Sequence, residues 1–264
     1  MTSSIKVFVL LMFSSVFSAS SQTWEIGVTA GGMAYLGDLN QNNLRKFNHP
    51  AAGGVIKRNF DSNWSLKLAL LKGKISADES ISPYQQERDR NLSFFSPLTE
   101  GSLQVEFNFF DYGFDYSQKR FTPFLSAGVS LAVFNPQTNY NGTNYELKYY
   151  NTEGQESYNT TTYAIPIAAG LKYNFGRYFN IIGEIGFRDT STDYLDDVSG
   201  YYANSAALQG NSTQITALRI ALSDRSVNKI GVPGTQRGDF RKKDSYLFAG
   251  ITLTYTFVSQ KCAF

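Results

Sequence analysis

One cysteine and one histidine are all that 264 residues hold of the two side chains most used in thiol, metal and general-base chemistry. The cysteine, Cys262, lies near the C-terminus and excludes any intrachain disulfide. The histidine, His49, precedes Pro50 in the first long link, so any histidine-based triad would have to use it. A solvated loop histidine is the expectation. Charge of one sign is scarce too: the formal net charge is +2, too small for a nucleic-acid-binding surface. Beyond the N-terminus, no apolar run is long enough to cross a bilayer as a helix. These absences leave no catalytic residue, no cofactor and no small-molecule substrate to expect.

What is present starts at the N-terminus. Lys6 precedes an apolar run from Val7 to Val16, and the small residues Ser18, Ala19, Ser20 and Ser21 follow. A basic start, a short apolar stretch and small residues describe a secretory signal. No cysteine follows the run, so lipoprotein processing is not indicated. Residues 1–21 are therefore expected to be a signal peptide and residues 22–264 one β-barrel domain.

The rest of the chain repeats short segments in which apolar and polar residues alternate. Leu103, Val105, Phe107 and Phe109 share one face, and Gln104, Glu106 and Asn108 the other. Period two is the mark of a strand with unlike faces. About eight such segments are legible: Trp24–Tyr35, Ala51–Phe60, Trp64–Lys74, Gly101–Phe110, Phe121–Phe134, Thr161–Phe175, Phe179–Thr190 and Ser245–Phe257. Their connections alternate in length. Asp61–Asn63, Asp111–Lys119 and Gly176–Tyr178 are short, whereas Gly37–Pro50, Ile75–Leu98, Asn135–Thr160 and Ser191–Lys243 are long. This spacing predicts an all-β, antiparallel transmembrane barrel with short periplasmic turns and long extracellular loops. An even strand count puts both chain ends with the short turns.

The charges decide which face looks inward. Glu25, Lys57, Lys67, Glu106, Lys172 and Glu184 all fall opposite the apolar face, at similar depth. Facing lipid, a midplane lysine costs a few kcal/mol; facing a narrow lumen, it finds a carboxylate. A soluble barrel would have to bury the same charges in an apolar cup. Lys67 with Glu106, and Lys172 with Glu184, are expected as pairs on adjacent strands. Neutralisation inside the barrel also explains Glu106 and Glu184 better than an acid/base pair does. Trp24, Phe60, Trp64, Phe110, Phe121, Phe175, Tyr178 and Phe179 gather at the turn-side strand ends, where an interfacial girdle belongs.

Two loop features remain. Asp189, Asp193, Asp196 and Asp197 lack the spacing of a calcium loop, so an ordinary acidic loop is expected and no metal site. Within the longest link, Ile215, Leu218, Ala221 and Leu222 recur near helical spacing after Ser212 and Thr213, which suit a helix cap. A small helix covering the loop's own apolar residues is favoured over a lid or plug on the mouth.

Several segments resemble a known family: "WEIGVTAGGMAYLGDLN", "RNLSF", "VEFNFFDY", "TPFLSAGV", "TDYLDDVSGYY", "ALSDRS" and the closing "DSYLFAGITLTYTF". In this order they are similar to the PorG-like outer-membrane proteins of the type IX secretion system of Gram-negative bacteria. The resemblance implies an outer-membrane component that docks periplasmic, ring-forming lipoproteins of the PorK and PorN type. Asp111, Asp115, Lys119, Arg120 and Arg177 would then form the docking rim on the periplasmic side. A stand-alone small barrel, acting as a channel or adhesion protein, is the alternative. An eight-stranded interior is just wide enough to be filled by side chains, which argues against a wide pore.

Overall fold

The computed structural model describes residues 23–40, 47–113, 118–176, 178–239 and 241–257. The expected signal peptide 1–21, Cys262, and the rim candidates Asp115 and Arg177 lie outside these residues. The strands are β1 (Thr23–Leu36), β2 (His49–Asn59), β3 (Trp64–Asp78), β4 (Ser93–Asn108) and β5 (Phe121–Phe134). They continue with β6 (Gln137–Tyr140), β7 (Thr143–Glu146), β8 (Thr161–Phe175), β9 (Phe179–Thr190) and β10 (Ser245–Phe257). Eight of them form an antiparallel meander in the order β1-β2-β3-β4-β5-β8-β9-β10, and β10 pairs back onto β1 to close the barrel. The remaining two, β6 and β7, make a hairpin that hangs from β4 through Phe95 and Gln137.

Alternation dictates the faces of every barrel strand. Ile26, Val28, Leu68, Leu70, Leu103, Val105, Val129, Leu131, Ile165, Ile167, Ile185 and Ile251 point outward and are 45–66% exposed. Gln104, Glu106, Lys57, Lys67 and Lys172 point inward and are buried. An apolar exterior around a charged interior is favourable only where the surroundings are hydrocarbon. The expected girdle residues Trp24, Phe60, Trp64, Phe110, Phe121, Phe175 and Phe179 are all exposed at the turn-side ends. This protein is an outer-membrane, multi-pass β-barrel, as the alternation predicted.

At the girdle end the turn between β2 and β3 is tight for a local reason. Asp61 Oδ1 accepts hydrogen bonds from the amides of Asn63 (2.8 Å) and Trp64 (2.7 Å), so a side chain closes the β2–β3 turn. At the other end three strand limits differ from expectation. β2 starts at His49, β3 continues to Asp78 and β4 starts at Ser93. With 15 and 16 residues, β3 and β4 exceed the roughly 9–11 that a tilted strand needs to cross a bilayer, so they project beyond it. There both faces meet protein or water and alternation ends, as in the adjacent Phe94 and Phe95. Pro97 falls where β4 has β3 beside it but not yet β5, a position that tolerates a missing N–H. His49 is thereby a strand residue, not a loop residue, and its Nε2 lies 2.8 Å from Ser76 Oγ.

Within the projecting end and the outer half of the lumen sits the apolar core. Met33, Tyr35, Ile75, Phe94, Leu98, Phe134, Tyr246 and Phe248 of the barrel pack with Leu195, Val198 and Leu222 of the longest connection. That connection contains the helix Thr213–Ser223, begun by the Ser212 hydroxyl accepting from the Ile215 amide. The helix does not merely cover its own loop, since Leu222 enters the barrel's core.

Candidate functional site

Below the apolar core the lumen is closed by charge. Glu106 is fully buried and gathers three ammonium groups. Lys57 Nζ lies 3.1 Å from its Oε1, Lys172 Nζ bonds the same oxygen, and Lys67 Nζ is 4.0 Å from Oε2. Lys172 also donates to Asn108 Oδ1 at 2.6 Å and sits 4.8 Å from the centre of the Phe124 ring. Lys67 makes its short contact with Glu184 Oε2, at 2.6 Å. One layer further out, Arg188 approaches Glu184 (3.7 Å) and Glu100 (3.3 Å), and the Tyr246 hydroxyl donates to Glu100 at 2.5 Å.

Partner choice here differs from the expected pairs. Lys172 does not meet Glu184: the β8–β9 register sets Glu184 opposite Gly170 and Lys172 opposite Ile182. A lumen this narrow lets an ammonium group cross it, so distance through the barrel outranks strand adjacency. Lys172 therefore joins Glu106, while Glu184 is held by Lys67 and Arg188. Lys67 and Glu106 do approach, but as the longer of the two contacts that Lys67 makes. Glu25 and Lys57 are register partners, yet Lys57 reaches Glu106, and Glu25 accepts from Asn59 Nδ2 (2.8 Å) and Thr254 Oγ1 (2.9 Å). Glu100, Arg188 and Tyr246 were missed in the sequence although a signal was there. Glu100 lies in phase with Ser102, Gln104 and Glu106, and Arg188 in phase with Ile182 and Glu184.

Space follows the charges. On the turn side a cavity of about 310 Å³ is lined by Glu25, Asn59, Asn108, Tyr112, Lys172 and Asn180, among others. Beyond the Glu106 cluster a small pocket of about 20 Å³ lies between Lys57, Lys67, Glu100, Glu184 and Arg188. That is room for about one water molecule. Among the described residues of this layer the four cations Lys57, Lys67, Lys172 and Arg188 face the four carboxylates Glu25, Glu100, Glu106 and Glu184, so the two signs balance there.

At the turn-side rim, Asp111, Lys119 and Arg120 are exposed. The Lys119 amide donates to the Asp111 carbonyl (2.7 Å), and its ammonium lies 4.5 Å from the Phe110 ring centre. The two described ends of this connection, 111–113 and 118–120, are thus tied to each other and present both signs of charge.

On the opposite side the long connections fold into a cap. Arg237 joins three of its segments, donating to Glu153 Oε1 (2.9 Å), the Asp197 carbonyl (2.9 Å) and the Ser223 carbonyl (3.1 Å). Asp197 also accepts from Tyr158 (2.6 Å) and Thr152 (2.5 Å). Burial pushes Asp197 up to about 6 against the pull of Arg237 and these two donors. The acidic stretch does not act as one unit. Asp193 binds the Ser199 hydroxyl, Asp189 lies 3.8 Å from Lys243, and Asp196 turns inward to Tyr35. A hairpin, β6–β7, belongs to the same cap. Its turn residues Asn141 and Gly142 have φ of 51° and 81°, the left-handed pair that an Asn-Gly hairpin turn requires.

Comparison with solved structures finds small barrels at low similarity. The N-terminal β-barrel domain of Pseudomonas aeruginosa OprF is 14% identical, over 88% of this chain and 97% of that one, with a TM-score of 0.39. Neisserial surface protein A is 8% identical over 89% and 97%, with a TM-score of 0.40. The attachment invasion locus protein Ail of Yersinia pestis is 10% identical over 89% and 97%, with a TM-score of 0.37. At that level neither fold nor function rests on them. Among curated proteins no match is found. One family matches residues 4–213, most of the chain, and this protein therefore belongs to it: the family described as a domain of unknown function, DUF6089.

Proposed function

We propose that this protein is a stand-alone outer-membrane barrel that works through the folded cap on its loop side, as an adhesion or docking protein, and passes no solute through its lumen. The observation that carries the reading is the buried ionic cluster across the lumen, Glu106 with Lys57, Lys67 and Lys172, beside a pocket of only about 20 Å³. A barrel without a path has only its two ends to work with. The cap end is the more elaborate, and it leaves Ile81, Tyr84, Tyr149, Val227 and Val232 exposed to water. Apolar and aromatic side chains on a polar surface suit contact with another macromolecule. Host cells displaying the protein should therefore adhere to one another or to matrix-coated surfaces. Display of Tyr84→Ser with Val227→Ser and Val232→Ser, at equal level and with intact heat-modifiable mobility, should lose that adhesion. Unchanged adhesion in the variant, or none with the native protein, contradicts the reading.

A second reading, docking within a type IX secretion machine, is supported by the resemblance of the quoted segments to PorG-like proteins and by the mixed charges of the turn-side rim. In this reading Asp111, Asp115, Lys119, Arg120 and Arg177 meet a PorK/PorN-type lipoprotein ring. Changing Lys119, Arg120 and Arg177 to Glu should leave insertion intact but reduce both lipoprotein recovery in mild-detergent pull-downs and cargo secretion. Normal recovery and normal secretion in that variant would remove this reading.

A further inference from the structure

The acidic residues that matter most are not neighbours in sequence. Asp38 follows β1, Asp244 immediately precedes β10, and Asp196 comes from the middle of the longest connection. Each places a carboxylate oxygen within 4.8 Å of the other two, and all three residues are buried. Among the described residues none of them has an ion-pair partner at salt-bridge distance. Three buried carboxylates without a cation are costly.

The hydrogen bonds do not resolve the cluster. The Tyr35 hydroxyl lies 2.6 Å from Asp196 Oδ2 and 2.8 Å from Asp244 Oδ1, yet it has a single proton to donate. Asp38 Oδ1 accepts from the Asp239 amide, but Asp38 Oδ2 is buried with no hydrogen-bond partner among the described residues. The backbone meanwhile fixes the carboxylates in place. The Val198 amide donates to Asp196 Oδ1 (2.9 Å) and the Leu195 amide to Asp244 Oδ2 (2.9 Å). Gly37 completes the cradle: a Cβ there would come within 1.9 Å of Asp244 Oδ1 and 2.1 Å of the Tyr35 hydroxyl oxygen. The position therefore admits no side chain.

We propose that Asp38, Asp196 and Asp244 form a binding site for a hard divalent cation, Ca²⁺ by preference, which fastens the cap to the barrel rim. All the donors are oxygens, the choice of Ca²⁺ and Mg²⁺ rather than of softer metals. Oxygens within 4.8 Å of one another can surround an ion bonded at about 2.3–2.6 Å. Two ligands stand on the barrel frame, where Leu36 pairs with Ser245, and the third is on the cap, so the ion joins the two. The site lies on the loop side, where extracellular calcium modules bind with Kd of roughly 10⁻⁴–10⁻³ M.

The test uses the full mature chain, refolded in detergent and freed of metal by chelation. Tb³⁺ is the probe, since tyrosine excitation of a nearby Tb³⁺ reports binding and Tyr35 touches two of the ligands. The expected result is one saturable site per chain, displaced by Ca²⁺ at millimolar concentration and poorly by Mg²⁺. Asp38→Asn should weaken Ca²⁺ displacement at least about tenfold, with barrel mobility on gels unchanged. Gly37→Ala, which changes no ligand but fills the cradle, should do the same. Asp189→Asn, at the outer end of β9 and outside the three-carboxylate cluster, should bind like the native chain. Absence of a saturable, Ca²⁺-displaceable site in the native protein overturns the proposal, as does native-like binding by folded Asp38→Asn. Should neither variant fold, protection decides. Ca²⁺ at saturation must slow proteolysis within 191–243 of the native chain, and equal cleavage with Ca²⁺ and with chelator overturns the site.

Discussion

Glu106 is the residue on which the lumen depends most. It is the shared counter-charge of Lys57, Lys172 and, at longer range, Lys67, and all four side chains are buried. Removing one partner from a buried ionic cluster leaves the others uncompensated, at a cost of about 3–5 kcal/mol. Glu106→Gln should therefore destabilise the folded barrel by about that much, measured as the urea midpoint of the heat-modifiable band. Lys67 offers the finer test. Its 2.6 Å contact is with Glu184 and its 4.0 Å contact with Glu106. In double-mutant cycles Lys67→Met should couple more strongly to Glu184→Gln than to Glu106→Gln. The reverse order would mean that strand adjacency, not distance through the lumen, selects the partner.

At the scale of elements, the strands were legible wherever lipid lies on one side and lumen on the other. Leu103, Gln104, Val105 and Glu106 alternate because their surroundings alternate. Past the bilayer that contrast ends, and with it the signal: the outer parts of β3 and β4 extend beyond the segments that alternation marks out. The β6–β7 hairpin is a different case, because Asn141-Gly142 is a strong local turn signal standing inside a link otherwise read as loop. Partner identity in the lumen and the meeting of Asp38, Asp196 and Asp244 had no local signal at all. They depend on barrel closure, which joins β1 to β10 across most of the chain. The helix Thr213–Ser223 is testable on its own terms. Leu222 is its side chain in the core, so Leu222→Ala should cost about 2–5 kcal/mol of local stability. Hydrogen exchange should show amides of 213–223 losing protection while those of β1 and β10 keep theirs. Equal loss in helix and barrel would mean that cap and barrel form a single cooperative unit.

The whole molecule joins an apolar exterior, a charged interior, short turns at one end and a folded cap at the other. Its orientation follows from the usual placing of short turns in the periplasm. Tags after Gly142 or Gly210 should be accessible on intact cells, and a label at Ser62 should not; the opposite pattern would invert the barrel. The proposed reading requires that the lumen, open as a cavity on its turn side, is closed to solutes at the Glu106 layer. It is tested most directly by current across a planar lipid bilayer holding the refolded native barrel at moderate salt. With the native protein no steps above the bare-membrane baseline are expected. Steady, ohmic steps from well-folded native barrels, removed by heat denaturation before insertion, would contradict it.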